Sequence, residues 1–211
     1  WNLSLFSKFY NNILEYKNGV SLIAYFNWEN NLSRGSGRAN GVEISSKVQF
    51  EKWQLYGGYT FCRSKRTVED INEGNEYFSK YDRPHSLNLL AEYQINAQSK
   101  LMLSFLFSSG NPVSLPSARY ITVVNGSPII VEEFNKINNF RLPATHHLDV
   151  SYMYSKSHKH YNSTLILGVY NIYNQLNPFM VYIGVNEAAE PVIKIRSYLP
   201  IMPMLKYSIS I

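Results

Sequence analysis

Asp82, Arg83 and His85 lie within four residues of each other, flanked by Ser79 and Ser86. An acid, a cation, an imidazole and two hydroxyls are the ingredients of nucleophilic or acid–base chemistry, which needs a base held against a nucleophile. Alternation along an extended chain works against a triad, because it sends neighbouring side chains to opposite faces. The simpler expectation is a strand-entry network in which Asp82 pairs with an arginine. His146-His147 and His158-x-His160 raise a second chemistry, metal binding, since imidazole is a common ligand. His158 and His160 share a face of an extended chain, yet no carboxylate or cysteine lies close to them in sequence. Cys62 is the lone cysteine, which excludes a disulfide framework and a multi-cysteine zinc site. Arg34-Gly35-Ser36-Gly37 has no helical pattern after it, so it is a weak phosphate loop. The expectation is no catalytic residue, no metal and no cofactor.

The elements that would carry such groups follow a period of two. Val42, Ile44, Val48 and Phe50 alternate with Glu43, Ser45, Lys47 and Gln49. Leu87, Leu89, Ala91, Tyr93 and Ile95 alternate with a set that includes Asn88, Glu92 and Gln94. Leu148, Val150, Tyr152 and Tyr154 stand opposite His147, Asp149 and Ser151, and Leu205, Tyr207, Ile209 and Ile211 opposite Lys206, Ser208 and Ser210. Such alternation means strands with one apolar and one polar face. About eight strands result, over 1–16, 38–50, 53–67, 81–95, 100–112, 144–155, 160–175 and 193–211. Several exceed the usual globular strand and suit a tilted bilayer crossing of about 9–11 residues.

Composition narrows the class. Aromatics make up 15% of the 211 residues, which argues against disorder. Charged residues are 17%, below the roughly 25% of a soluble chain. No run approaches the about 18 apolar residues of a membrane helix. The net charge of +5 is spread over scattered cations with no stripe, so nucleic acid is not an expected partner. The chain opens at Trp1 with no Met or signal segment, which reads as a mature, truncated or partial sequence.

Connections alternate in length. Lys17 to Gly37 is long and Glu51-Lys52 tight; Val68 to Lys80 is longer and Asn96 to Ser99 short. Val113 to Pro143 is very long, Lys156 to Lys159 short, and Leu176 to Val192 long. Outer-membrane barrels are built this way, with short periplasmic turns and long outer loops. Aromatics such as Trp1, Trp53, Tyr59, Tyr154, Tyr173 and Tyr207 gather toward strand ends, as in interfacial girdles.

Five segments, in order, resemble the C-terminal barrel of TonB-dependent receptors of the Bacteroidetes type. Tyr81-Asp82-Arg83-Pro84-His85 with Leu87-Asn88 resembles the entry to a descending strand. Ser109-Gly110-Asn111-Pro112-Val113 with Leu115-Pro116 is similar to the end of the next strand. Arg141-Leu142-Pro143 followed by His146-His147-Leu148-Asp149-Val150 is the third, with His147 where the family has arginine. Gly168-Val169-Tyr170-Asn171-Ile172-Tyr173-Asn174 with Asn177-Pro178-Phe179 is the fourth. Leu199-Pro200-Ile201-Met202-Pro203 leads into a terminal strand that ends in Ile211 rather than an aromatic residue.

The resemblance implies an all-β fold: a transmembrane antiparallel β-barrel, of which residues 1–211 are about eight C-terminal strands out of about 22. The plug domain and upstream strands would lie elsewhere. It implies a bacterial outer-membrane receptor that imports a siderophore, glycan or similar nutrient, and no enzyme. Implied partners are outer-membrane lipid, the rest of the barrel and its plug, the TonB complex, the barrel-assembly machinery through the C-terminal strand, and a surface lipoprotein. The polar face, with Glu43, Lys47, Gln49, Glu92, Gln94, Asp149 and Lys206, would line the lumen. Val42, Ile44, Val48, Leu89, Leu103, Phe105, Val150 and Leu205 would meet lipid. Arg119, Tyr120 and Arg141, in the longest loop, are the ligand-binding candidates, since arginine and tyrosine suit polar ligands. Two other readings stay open: a self-contained eight-stranded barrel with a structural or adhesive role, and a barrel segment captured by the assembly machinery.

Overall fold

The computed structural model describes residues 1–17, 28–188 and 190–210. Much of the first long connection, and the terminal Ile211, lie outside the described residues. In chain order the strands are β1 (Asn2–Tyr16), β2 (Leu32–Phe50), β3 (Trp53–Val68), β4 (Tyr77–Phe78), β5 (His85–Gln94), β6 (Ser99–Ser108), β7 (Pro112–Val113) and β8 (Ala118–Val124). They continue with β9 (Ser127–Glu133), β10 (Phe140–Arg141), β11 (Thr145–Ser157), β12 (Asn162–Tyr170), β13 (Pro178–Val185), β14 (Pro191–Ser197) and β15 (Met202–Ser210).

One antiparallel wall runs β1-β2-β3-β5-β6-β11-β12-β15, with β4 added to β3. Its eight strands are the eight expected ones, each paired with its neighbour in sequence. The wall is open, and β1 and β15 are its two edges.

Several boundaries differ from expectation: β5 starts at His85 rather than 81, β6 ends at Ser108 rather than 112 and β12 ends at Tyr170 rather than 175, and the differences that follow have local causes. β2 starts at Leu32 rather than 38, because the ladder to β1 and β3 continues through the polar, glycine-rich stretch. A side chain at Gly35 would place its Cβ 2.3 Å from the Thr67 carbonyl oxygen, so glycine is what lets the strands stay close there. The expected strand 193–211 is two elements. Leu199 takes φ 56° and Pro200 follows it, so the backbone cannot stay extended between β14 and β15. Finally, the long loops contain hairpins of their own, β8–β9 and β13–β14.

Register fixes the faces, because directly paired residues point the same way. Glu43–Thr60, Lys47–Tyr56, Gln54–Glu92, Ser104–Asp149 and Ile166–Lys206 are pairs on one face. Val42–Phe61, Val48–Leu55, Leu89–Phe105, Leu103–Val150 and Leu167–Leu205 are pairs on the other. Large apolar side chains of that second face stand open: Leu5 is 77% and Leu205 73% exposed. A folded chain in water does not leave a continuous apolar face uncovered.

Two aromatic belts bound the apolar band. At the short-turn end, Trp53 packs on Tyr93 at 4.8 Å between centroids. Nearby, the Tyr152 hydroxyl donates to Ser99 Oγ at 2.8 Å and Tyr154 to Gln98 Oε1 at 3.2 Å. At the long-loop end, Tyr59 meets His85 Nδ1 at 2.7 Å and Tyr173 meets His146 Nδ1 at 2.8 Å. Tyr93 and His85 lie on one strand, eight residues and so about 27 Å apart. That span fits the about 25 Å apolar height of an outer-membrane wall.

The buried apolar core lies at the long-loop end of the sheet, beyond this band. Val68, Ile71 and Tyr77 form it, with Ile13 and Ile137 packed against them. Asn72 ties the long loop to this core: it accepts from Ile137 N at 2.8 Å and donates to Ile137 O at 3.3 Å. The same doublet joins Asn139 to Leu115 and Asn177 to His146, so three asparagine amides imitate a strand neighbour. The Tyr77 hydroxyl is buried with no hydrogen-bond partner among the described residues. Burial, with Glu15 adding to it, pushes that phenol up to about 12. Below pH about 10 both the folded and unfolded states keep this proton; between about 10 and 12 only the folded state does, so stability from this group falls as pH rises through that window. Tyr77→Phe removes the unmet hydroxyl and should stabilise the protein by about 1 kcal/mol, read as a higher denaturant midpoint; a loss above that size would mean the hydroxyl has a partner.

Candidate functional site

The acidic residue of the sequence cluster is the centre of a brace. Asp82 is buried, and its Oδ1 accepts from the Ser64 backbone N–H at 2.6 Å. Its Oδ2 lies 2.5 Å from Arg141 Nη2 and 3.4 Å from Arg63 Nη1. Arg141 Nη1 also donates to the Asp82 carbonyl at 2.8 Å and the Gly110 carbonyl at 2.7 Å. Phe78 lies beneath both guanidinium groups, at 5.0 Å from Arg63 and 5.4 Å from Arg141. One carboxylate therefore gathers β3, β10 and the chain leading into β5. His85 points to the apolar face beside Phe61, and Ser86 to the polar face beside Thr60. Base, acid and hydroxyl are held apart, as the alternation argument requires.

Of the remaining histidines, His146, His147 and His158 have local partners. His147 Nε2 is 3.6 Å from Asp149 Oδ2, and its ring packs on Tyr170 at 4.6 Å. His158 stacks on Tyr161 at 4.3 Å and meets Ser163 Oγ at 3.2 Å. Among the described residues no three of His, Cys, Asp and Glu converge as metal ligands would.

The polar face divides into committed and free groups. Glu92 is paired with Lys100 at 3.0 Å. Gln94 donates to the Asn96 and Ser99 carbonyls of its own turn. Asp149 accepts from the Asn171 N–H at 2.9 Å, closing the end of β12. Lys47 rests over the Tyr56 ring at 5.0 Å. Glu43, Gln49 and Lys206 are exposed, with no side-chain hydrogen bond or ion pair among the described residues. A concavity of about 590 Å³ opens beside Lys47, with Asn2, Ser45, Tyr56, Asn88 and Ser104 on its wall.

The three loop candidates do not meet. Arg119 and Tyr120 are neighbours on β8 and point to opposite faces of that hairpin. Arg119 Nε lies 3.6 Å from Glu132 Oε1, and its Nη1 donates to the Ile183 carbonyl at 3.3 Å, linking the two hairpins. Tyr120 is half exposed. Arg141 belongs to the Asp82 brace at the foot of the loop. The asparagine clamps at 72, 139 and 177 were not legible beforehand, because nothing in the sequence sets them apart from the other asparagines of the loops.

Replacing Asp82 by asparagine keeps the shape and leaves two guanidinium groups without a counter-charge. A loss of about 3 kcal/mol is expected in the unfolding midpoint, and Arg141→Gln should add little on top of it because both break one network. Full additivity of the two would show that they act separately.

A family model described as TonB dependent receptor-like, beta-barrel matches residues 1–172. No curated protein and no solved structure matches the chain. The match covers β1 through β12, the greater part of the wall, and it agrees with the antiparallel order and the apolar outer band found there. The chain belongs to the TonB-dependent receptor-like β-barrel family, whose place is the outer membrane of Gram-negative bacteria.

Proposed function

We propose that residues 1–211 are the C-terminal part of the wall of an outer-membrane importer for a scarce nutrient such as a siderophore or a glycan. The observation that carries this reading is the division of the wall into two faces. An apolar band between aromatic belts suits lipid, and the opposite polar face suits a wide hydrated lumen. In that lumen Glu43, Lys47, Gln49, Glu92, Gln94, Asp149 and Lys206 would surround a plug and the substrate path. Glu43, Gln49 and Lys206 are the ones free to contact it. An eight-stranded barrel closed on itself would crowd these groups into its interior, where unpaired charge is costly. The lack of side-chain partners at Glu43, Gln49 and Lys206 among the described residues favours the wide lumen.

The open edges support the same reading. Unpaired backbone groups in hydrocarbon cost several kcal/mol each. β1 would therefore pair with an upstream strand and β15 with the first strand of the whole barrel, through the edge that the assembly machinery handles. The family is one of receptors and transporters, and the work on the substrate is binding and passage. Energy would arrive through the TonB complex acting on the plug. Hairpins β8–β9 and β13–β14 would form the outer recognition surface, with Arg119 and Tyr120 meeting the ligand, Arg141 positioning the loop, and a surface lipoprotein able to dock above.

Topology is checked by labelling. A cysteine at Ser127, with Cys62 replaced by serine, should react with an impermeant maleimide in intact cells. One at Ser157 should react only after the outer membrane is opened, and the reverse pattern would invert the wall. Import is checked with a panel of radiolabelled siderophores and glycans in cells with and without TonB. Uptake of one class should require TonB, and Arg119→Ala with Tyr120→Ala should raise its half-saturating concentration about ten-fold, the loss of one or two charge-assisted or stacking contacts. TonB-independent uptake would sink the importer reading.

A further inference from the structure

β2 and β3 run past the apolar band at the long-loop end and carry cations on that same face. Arg38 stands directly opposite Lys65 in the ladder. Like charges so placed repel unless something lies between them. Glu76 does so, with Oε1 2.7 Å from Arg38 Nη2 and Oε2 2.5 Å from Lys65 Nζ. Its hydrogen bond to Lys65, ahead of the nearby charges, holds its carboxyl below the usual range, so it is ionised at neutral pH. The trio still keeps one net positive charge. Arg34, exposed and of the same strand parity as Arg38, adds another.

A cleft of about 300 Å³ opens at this point, lined by Phe9, Asn11, Ser36, Arg38, Lys65 and Thr67 among others. Its cause is local: the β1–β2 register shifts between Tyr10 and Ile13, where Asn12 takes φ 55°, and the bulge parts the strands. Ser36 and Thr67 are a direct pair, so both hydroxyls share the face of Arg38 and Lys65. Phe9, 75% exposed, is level with Arg38 as its ladder partner; one polar row, Ser7, Asn40 and Arg63, follows below it, and then Leu5, Val42, Ile44 and Phe61 of the apolar band. From bilayer to rim the face thus reads apolar, then polar, cationic and hydroxylic around one exposed ring. That is the order of parts in an anionic amphiphile.

We infer that this cleft seats the phosphorylated headgroup of an outer-leaflet lipid, whose acyl chains lie along the apolar face of β1 to β3; the inference rests on the wall orientation proposed above. Arg38 supplies a planar fork for two phosphate oxygens, Lys65 a point charge, and Ser36 and Thr67 neutral donors. Glu76 keeps the two cations in place while the cleft is empty and yields them when a stronger anion enters.

The test is native mass spectrometry of the full-length protein in non-ionic detergent with dioleoyl phosphatidic acid, dioleoyl phosphatidylcholine or inorganic phosphate. Phosphatidic acid should be retained about ten-fold over phosphatidylcholine, and Arg38→Gln with Lys65→Gln should remove that preference. Glu76→Gln should raise retention, a gain that keeps the test open if the double variant fails to assemble. Equal retention of phosphatidic acid by wild type and a folded double variant, or no gain with Glu76→Gln, overturns the site. Displacement by millimolar inorganic phosphate with no preference between lipids assigns the cleft to a soluble phosphate and overturns the lipid. Wall orientation is read separately, from a bimane on a cysteine at Ile44 in a Cys62→Ser background. Quenching by brominated acyl chains with unchanged lipid retention overturns the cleft alone, whereas absent quenching overturns the orientation itself.

Discussion

Backbone N–H and C=O groups have no water to bond in hydrocarbon, so a chain crossing a bilayer as strands must pair each strand on both sides. The wall meets that demand with the simplest connectivity, every strand beside its neighbour in sequence. Tight and short turns follow at one end, since antiparallel neighbours can be joined by two residues, as Glu51 and Lys52 join β2 to β3. The same demand makes β1 and β15 incomplete by themselves. Where backbone approaches backbone at the rim, glycine is needed: a Cβ on Gly110 would lie 1.7 Å from the Leu142 carbonyl oxygen. That contact lets Arg141 reach both the Gly110 carbonyl and Asp82.

Pairing fixes the faces, and the faces fix where stability comes from. In a water-soluble sheet the apolar side is covered by a second layer. Here it is left open between two aromatic belts, and the small buried core of Val68, Ile71 and Tyr77 lies beyond the band. The loops therefore cannot lean on a deep core. They are held by amide doublets from Asn72, Asn139 and Asn177, each of which satisfies a donor and an acceptor of loop backbone at once.

Charge is distributed on the same logic. At the rim, two carboxylates act as hubs, Asp82 between Arg63 and Arg141 and Glu76 between Arg38 and Lys65, while Glu15 pairs with Arg66. On the polar face, Glu92 and Asp149 are committed to the wall while Glu43 and Lys206 are not. The committed groups shape the strand ends, and the free ones are those left for an occupant of the proposed lumen.

The strand number, the alternation of short and long connections and the two faces were legible in the sequence, because a period of two has only two phases and each bilayer-crossing stretch keeps one, β1 changing phase only at its bulge between Tyr10 and Ile13. Glu43 and Val42 had to part, and so did Asp149 and Val150. The Asp82 pairing was legible as a type, an acid at a strand entry seeking an arginine. Which arginines answer it was not, since Arg141 lies 59 residues away and only the rim geometry brings it there. The start of β2 was hidden because Gly35 and Gly37 carry no side chain to show a face, and the ladder, rather than propensity, extends the strand. The separation of β14 from β15 was hidden because both alternate; a positive φ at Leu199 followed by proline decides the break. Tertiary structure alone placed Arg119 and Tyr120 on opposite faces of a hairpin and set Arg38 against Lys65 over one glutamate, because residues far apart in sequence meet through register, and register is set by all the strands together.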